Sequence, residues 1–294
     1  MPRDFVDRAA LVAPVLFVIL WASGFIGAKY GLPYAEPLTF LSVRMGLVVG
    51  LLGLVIFITQ PTWPSGTGIL HSAVTGLLVH GLYLGGVFIS IHHHMPVGLI
   101  ALVVGLQPVF TSTIANRWLG ERVTPTQWAG LLLGLAGVFL IVQGKTGGDT
   151  TALGWIAACV GLCGITLGTM YQKRFGGGID WRPGFFVQYA SAAALFFAGA
   201  LLTETRQVQW TAEFMFALGW LVFVLSLGAV WLLYYLLRRS AAARMASLFY
   251  LTPPATALMA YVLFDETLAP LALVGMGVAV AGVFLVNWGA ARTT

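Results

Sequence analysis

The stretch from Val97 to Gly144 is written twice in this chain. It carries Leu106-Gln107-Pro108 early, the turn Gly120-Glu121-Arg122-Val123-Thr124-Pro125 in its middle and Ala136-Gly137-Val138-Phe139-Leu140 near its end. Moved forward by 145 positions without a gap, so that Val97 falls on Ala242, it sets Leu106-Gln107-Pro108 on Leu251-Thr252-Pro253 and Glu121 on Glu266. Pro125 then falls on Pro270, Gly130 on Gly275, and the Ala-Gly-Val-Phe-Leu segment on the identical Ala281-Gly282-Val283-Phe284-Leu285. Each copy is two apolar runs joined by a short polar turn, which reads as a helical hairpin. The repeat predicts two like halves, residues 1–147 and 148–294.

What surrounds the hairpins is equally apolar. The 294 residues are 59% hydrophobic and 9% charged, with a mean hydropathy of +0.91, whereas a soluble domain carries about a quarter charged residues. Crossing a hydrocarbon core of about 30 Å takes roughly 20 apolar residues. Ten such runs stand at 11–31, 38–60, 69–92, 96–117, 124–143, 152–173, 184–204, 213–237, 242–264 and 268–288. The expected fold is therefore an all-α integral membrane protein of ten transmembrane helices. The first run is long enough to span and has Trp21 and Phe25 where a small-residue cleavage site would stand, so it reads as helix 1 rather than a signal peptide. Cys159 and Cys163, four apart on one helix, read as buried structural thiols.

The formal charge of +5 and pI near 9.4 are a matter of topology. With the N-terminus inside, Arg3, Arg8, Arg117, Arg122, Lys173, Arg174, Arg182, Arg238, Arg239, Arg244 and Arg292 fall on inner connections. Lys29, Lys145 and Arg206 fall on outer ones. The positive-inside rule then places both termini in the cytoplasm. Five helices per half is an odd number, so the second half enters the membrane from the opposite side. Inverted-topology repeats of this kind are the architecture of many secondary transporters.

Chemistry-bearing residues are few. Helix 1 carries Trp21 and Ser23, helix 3 carries His80 and Tyr83, and helix 8 carries Trp231. Helices 4 and 9 have prolines at matched depth, Gln107-Pro108 and Thr252-Pro253, with Tyr250 just before the second. Pro108 and Pro253 are expected to kink their helices and free backbone groups, which is tolerated at membrane depth only inside protein or beside water. In an inverted-repeat carrier the substrate site lies near the midplane between the halves. The expected substrate-binding set is therefore Trp21, Ser23, His80, Tyr83, Gln107, Trp231, Tyr250 and Thr252: aromatic faces and neutral hydrogen-bonding groups suited to a zwitterion. Tyr234 and Tyr235 read as interfacial belt residues.

Arg44, about two turns into helix 2, reads as a structural anchor that snorkels or pairs with a group such as Glu36. His92-His93-His94 resembles a metal site, but successive helical residues point about 100° apart and cannot converge on one ion. No metal and no cofactor is expected. All ten acids lie in tails, turns or helix ends, so weak or absent proton coupling is expected, with His80 the first candidate should coupling exist. No His-Glu-x-x-His, paired intramembrane carboxylates or serine-histidine-aspartate set argues for an enzyme, and no repeated filter segment argues for a channel.

Gly-Glu-Arg-x-Thr-Pro followed by a helix ending Ala-Gly-Val-Phe-Leu, preceded by Leu-Gln-Pro and echoed by Arg-Met-Ala-Ser-Leu, Thr-Pro-Pro and Asp-Glu-Thr, resembles the drug/metabolite transporter superfamily in its EamA-type branch. The resemblance runs from Trp21 to Gly289, and Arg44 matches the arginine that often stands in that family's second helix. The chain departs from the family in placing His92-His93-His94 where a tyrosine-threonine-serine sequence is common. The resemblance implies a ten-helix carrier of the bacterial inner membrane with a central cavity, exporting amino acids or related metabolites. Within the superfamily the chain is most similar to aromatic amino-acid exporters. A drug or quaternary-amine exporter of the same superfamily is the alternative, and a membrane-embedded enzyme the remote one. The implied partners are a small-molecule substrate and the lipid bilayer, with no nucleic acid, and the protein would act as a monomer or weak homodimer.

Overall fold

A computed structural model of the chain describes residues 3–143, 150–264 and 269–291. The turn Asp265-Glu266, Lys145 and Arg292 lie outside the described residues. Ten helices among those described are long and apolar enough to cross a membrane: α1 (Val12–Tyr34), α2 (Pro37–Thr59), α3 (Gly66–His92), α4 (Leu99–Trp118), α5 (Pro125–Val142), α6 (Ala152–Phe175), α7 (Trp181–Thr203), α8 (Ala212–Arg239), α9 (Ala242–Leu263) and α10 (Pro270–Trp288). No strand is formed among the described residues beyond an isolated bridge between Ala35 and Val208.

Helix starts follow local chemistry. Ser65, Thr151 and Thr211 each accept the backbone N–H three residues on, and Asp180 accepts that of Arg182, satisfying donors that have no intrahelical partner. At α5, Thr124 and Gln127 exchange side-chain and backbone bonds in a capping box behind Pro125. Other starts are capped from far along the chain. The Glu204 carboxylate accepts the N–H groups of Leu38 (2.8 Å) and Thr39 (2.7 Å) and the Thr39 hydroxyl (2.7 Å) at the head of α2. Glu36 in turn accepts the N–H (2.7 Å) and hydroxyl (2.6 Å) of Thr205. Glu121 accepts the N–H of Ala242 at the head of α9, at 2.7 Å. Anions belong at helix N-termini, where the partial positive charge of the backbone collects.

The chain forms two compact units. The first holds Met1–Ile26, Val97–Gly147 and Gly228–Thr294; the second holds Gly27–Pro96 and Gly148–Leu227. In the first unit α5 and α10 pack closely against each other. A methyl group at Gly130 would stand 2.7 Å from the Gly282 carbonyl oxygen, and one at Gly275 equally close to that of Gly137, so the glycines let the two backbones touch. The Ala-Gly-Val-Phe-Leu segments thus turn glycine and valine inward while Phe139 and Phe284 stay exposed. In the second unit α2 packs on α7, and α3 on both α6 and α7.

Cys159 and Cys163 are exposed, which corrects the expectation of buried thiols. Ala157, Ala158, Gly161 and Ile165 take the inward face of α6. The i, i+4 pair therefore falls on the outward face, beside exposed Trp155, Ile156 and Val160, an apolar surface where a thiol is at home.

Irregular backbone recurs at one offset. In α4 the α-helical run ends at Val104 and resumes at Gln107; in α9 a 3-10 turn, Leu248–Leu251, precedes resumption at Thr252. A shift of 145 superposes Gln107 on Thr252. Likewise α3 contains a π-helical segment, Leu77–Leu82, and α8 contains another, Leu221–Ala229; the same shift carries 77–82 onto 222–227. Such π segments lodge an extra residue in the turn and are frequent at functional sites.

Candidate functional site

The second unit holds a buried polar cluster around its two π-helical segments. His80, in the α3 segment, is 1% exposed and stacks on Tyr189 of α7, with ring centroids 4.1 Å apart and planes 19° apart. The Tyr189 hydroxyl donates to the backbone carbonyl of Ser226, inside the α8 segment, at 2.5 Å. Arg44 of α2 donates from Nε to the Ser226 hydroxyl at 3.1 Å. One residue of α8 is thus held through its side chain by α2 and through its backbone by α7. Gln188 reaches His80 with its side chain and donates to Gln172 Oε1 at 3.4 Å. Tyr83, one turn beyond His80, is buried, and its hydroxyl, like that of Tyr189, lies within reach of the Arg44 charge. His80 Nε2 has no hydrogen-bond partner.

Arg44 neither snorkels nor pairs with Glu36. It lies seven residues beyond Pro37, about 10 Å along the helix, and is 3% exposed, while Glu36 is engaged by Thr205. A charged arginine at a membrane-helix centre costs about 2.5–3.5 kcal/mol on the insertion scale. One hydrogen bond to a charged group contributes about 1.5–3 kcal/mol, so Ser226 offsets that cost only in part. The sequence offered no way to find Tyr189, Ser226 or Gln188 as members of this cluster: each is an ordinary residue of an apolar helix until the fold brings it to Arg44 and His80.

The first unit has its own polar set, at the broken turns of α4 and α9. Gln107 is 1% exposed with Oε1 unbonded, and Thr111, Ser112 and Thr252 are buried with unbonded hydroxyls. Pro108 opens the resumed helix of α4, a position where its missing N–H goes unneeded, and Pro253 stands correspondingly in α9. Tyr250 is fully buried, its hydroxyl unbonded, with its ring against Gly134, where even a methyl group would come within 2.5 Å. Trp21 packs with Phe17 (5.2 Å) and edge-on with Phe249 (5.3 Å). The Ser23 hydroxyl bonds back to the Leu20 carbonyl. Trp231 stands apart from this set: it is 43% exposed and stacks on Tyr235 at 5.4 Å, whose ring lies 4.6 Å from the Arg239 guanidinium. Tyr234 is buried.

The other singled-out histidines lie at the end of α3, where His94 adopts a left-handed φ of 59° that ends the helix and the His92 and His93 rings meet edge-on at 5.5 Å. Among the described acids, Asp4 and Asp7 precede the membrane-spanning part of α1, and Glu36, Glu121, Asp180, Glu204 and Glu213 stand in connections or in the first or last turn of a helix.

The chain is similar to known membrane transporters. The EamA-like transporter family matches residues 8–143 and again residues 152–288. The chain is 31% identical over 291 residues to the uncharacterized transporter YvbV of Bacillus subtilis (strain 168), covering 95% of this chain and 92% of that one. It is 30% identical over 292 residues to a probable terminal-alkyne amino-acid exporter of Streptantibioticus cattleyicolor, covering 95% and 93%. To a probable amino-acid metabolite efflux pump of Escherichia coli (strain K12) it is 25% identical over 285 residues, covering 93% of each. A solved crystal structure shares the fold with a TM-score of 0.78 at 18% identity, over 97% of this chain and 99% of that one. With ten apolar membrane-spanning helices among its described residues, this protein is a multi-pass membrane transporter rather than an enzyme, and it belongs to the EamA-like transporter family.

Proposed function

We propose that the protein exports small amphiphilic amino-acid metabolites, aromatic ones favoured, by alternating access through two inverted five-helix repeats, residues 1–147 and 148–294. Both termini lie in the cytoplasm, and the carrier works as a monomer or weak homodimer. The observation that carries this reading is the pairing of buried, unbonded hydrogen-bonding atoms with aromatic rings. His80 Nε2 accompanies the Tyr189 stack in one unit, and Gln107 Oε1 and the Thr252 and Tyr250 hydroxyls occur in the unit that holds the Trp21 cluster. A buried polar atom left unpaired costs about 1–3 kcal/mol, and a cargo that supplies partners recovers that cost while its apolar body meets the rings. Relatives named as amino-acid exporters support the same class.

The test is flux of radiolabelled phenylalanine, tyrosine and aliphatic amino acids into proteoliposomes, with saturation kinetics. Alanine substitutions at His80, Tyr83, Gln107 and Trp231 accompany it, with membrane expression checked in parallel. Saturable flux reduced in several variants is expected. Normal flux in all four would end the site assignment, and absence of flux for every amino acid tried would end the substrate class.

A further inference from the structure

We propose that Arg44 recognises the carboxylate of the cargo and that the described residues place no anion deep in the membrane spans to pair an ammonium group, so that carboxylate-bearing amphiphiles, with or without an amine, are its substrates. The proposal rests on the export reading above and deepens it.

Arg44 is a permanent cation inside the second unit, 3% exposed, and Ser226 is its one hydrogen-bond partner among the described residues. A guanidinium has five N–H donors in a fork that fits a carboxylate, and here a single neutral hydroxyl meets only Nε. The titratable groups within electrostatic reach of it are the neutral phenols of Tyr189 and Tyr83 and the imidazole of His80, so among the described residues no carboxylate neutralises it. A buried charge without its counter-ion is unfavourable, and a bound anion would supply the missing partner. Beside it stands His80, equally buried, with Nε2 unbonded and within reach of the Arg44 charge. This second polar group can take the other carboxylate oxygen, while the Tyr189 and Tyr83 rings offer surface to an apolar or aromatic body.

Glu121, Asp180 and Glu204 each accept backbone N–H groups at helix starts, Glu36 accepts that of Thr205 just past the end of α7, and the remaining described acids lie at or near helix ends. Among the described residues no anion stands in a span beyond its terminal turns to pair an ammonium. A buried cation also opposes cationic cargo, which sets this protein apart from a quaternary-amine exporter.

The test uses the full chain, purified in detergent, with three probes of like size: L-phenylalanine, 3-phenylpropionate and phenethylamine. Binding is read by thermal shift and by inhibition of flux in proteoliposomes. The expected ranking is that phenylalanine and 3-phenylpropionate both stabilise the protein and phenethylamine does not. Arg44→Gln is expected to lose about tenfold or more in affinity for 3-phenylpropionate, with Arg44→Lys retaining part of it. The proposal is overturned if phenethylamine binds as well as 3-phenylpropionate, if neither carboxylate binds, or if monodisperse Arg44→Gln binds 3-phenylpropionate like the wild type. Should Arg44→Gln fail to fold, the ranking of the three probes on the wild type decides alone. Arg44-dependent binding of 3-phenylpropionate without any amino-acid flux would keep this assignment and discard the export reading.

Discussion

Tyr189 donates its hydroxyl to the backbone carbonyl of Ser226 at 2.5 Å while its ring stacks on His80. The acceptor lies inside a π-helical segment, where the widened turn leaves carbonyls in need of partners. Tyr189 therefore has two separable tasks. Tyr189→Phe keeps the stack and deletes the donor, leaving a buried carbonyl unpaired at a cost of about 1–3 kcal/mol. Tyr189→Leu removes both. Thermal unfolding in detergent should rank wild type above Phe above Leu, and equal stability of wild type and Phe would contradict the role given to the bond.

The exchange between Glu36 and Thr205 carries a pH dependence. The Thr205 hydroxyl, helped by the backbone N–H groups of Thr205 and Arg206 and by the charge of His92, holds the Glu36 carboxyl below its ordinary value of 4.5. A carboxyl depressed by folding adds stability that is fully present above the unfolded value and is lost as the pH falls through the folded one. Stability should therefore decline below pH 4.5 more steeply in the wild type than in Thr205→Val, which lacks the hydroxyl. Because Glu36 is only partly buried, the difference will be small and sensitive to salt; identical acid profiles for the two proteins would count against it.

Two glycines of α10 offer a paired test. At Gly275 an added methyl meets the Gly137 carbonyl and the Ile141 backbone nitrogen at 2.7 and 2.8 Å, whereas at Gly277 it meets nothing within 4 Å. Backbone atoms cannot step aside, so Gly275→Ala should destabilise by about 1–3 kcal/mol. Gly277→Ala should be neutral or stabilising by up to about 1 kcal/mol, through helix propensity. Equal behaviour of the two variants in thermal unfolding would refute the close approach of α5 and α10.

Coupling can be read from the placement of acids. With every described acid at a helix end or in a connection, a pH gradient imposed on proteoliposomes should drive little uphill accumulation. Strong accumulation that survives His80→Ala would defeat both the expectation of weak coupling and the candidacy of His80 as proton carrier.

Much of the fold was legible because its causes are local. Runs of about 20 apolar residues marked the ten spans, and the structure moves their ends by a few residues. Thr124-Pro125 announced the start of α5, and the two proline sites announced the broken turns of α4 and α9. The π-helical segments were not foreseen, because nothing in Leu77–Leu82 or Leu221–Ala229 names an extra residue in the turn.

The sequence by itself determined which segments cross the membrane, their order, and the repeat that relates Gln107 to Thr252, since hydropathy, capping and proline act within a few residues of where they are written. Only the tertiary structure decided which face of each helix turns inward. In a bilayer the surroundings are as apolar as the protein interior, so an apolar helix carries little amphipathic signal to orient it. That is why Cys159 and Cys163 were expected inside and stand exposed, and why Trp231 lies outside the Trp21 cluster. It is also why Arg44 finds Ser226, 182 residues away, rather than Glu36 near the head of its own helix. Hydrogen bonds of that span depend on how α2, α3, α7 and α8 settle against one another, and that is fixed by glycine contacts and ring stacking that no single stretch of the chain contains.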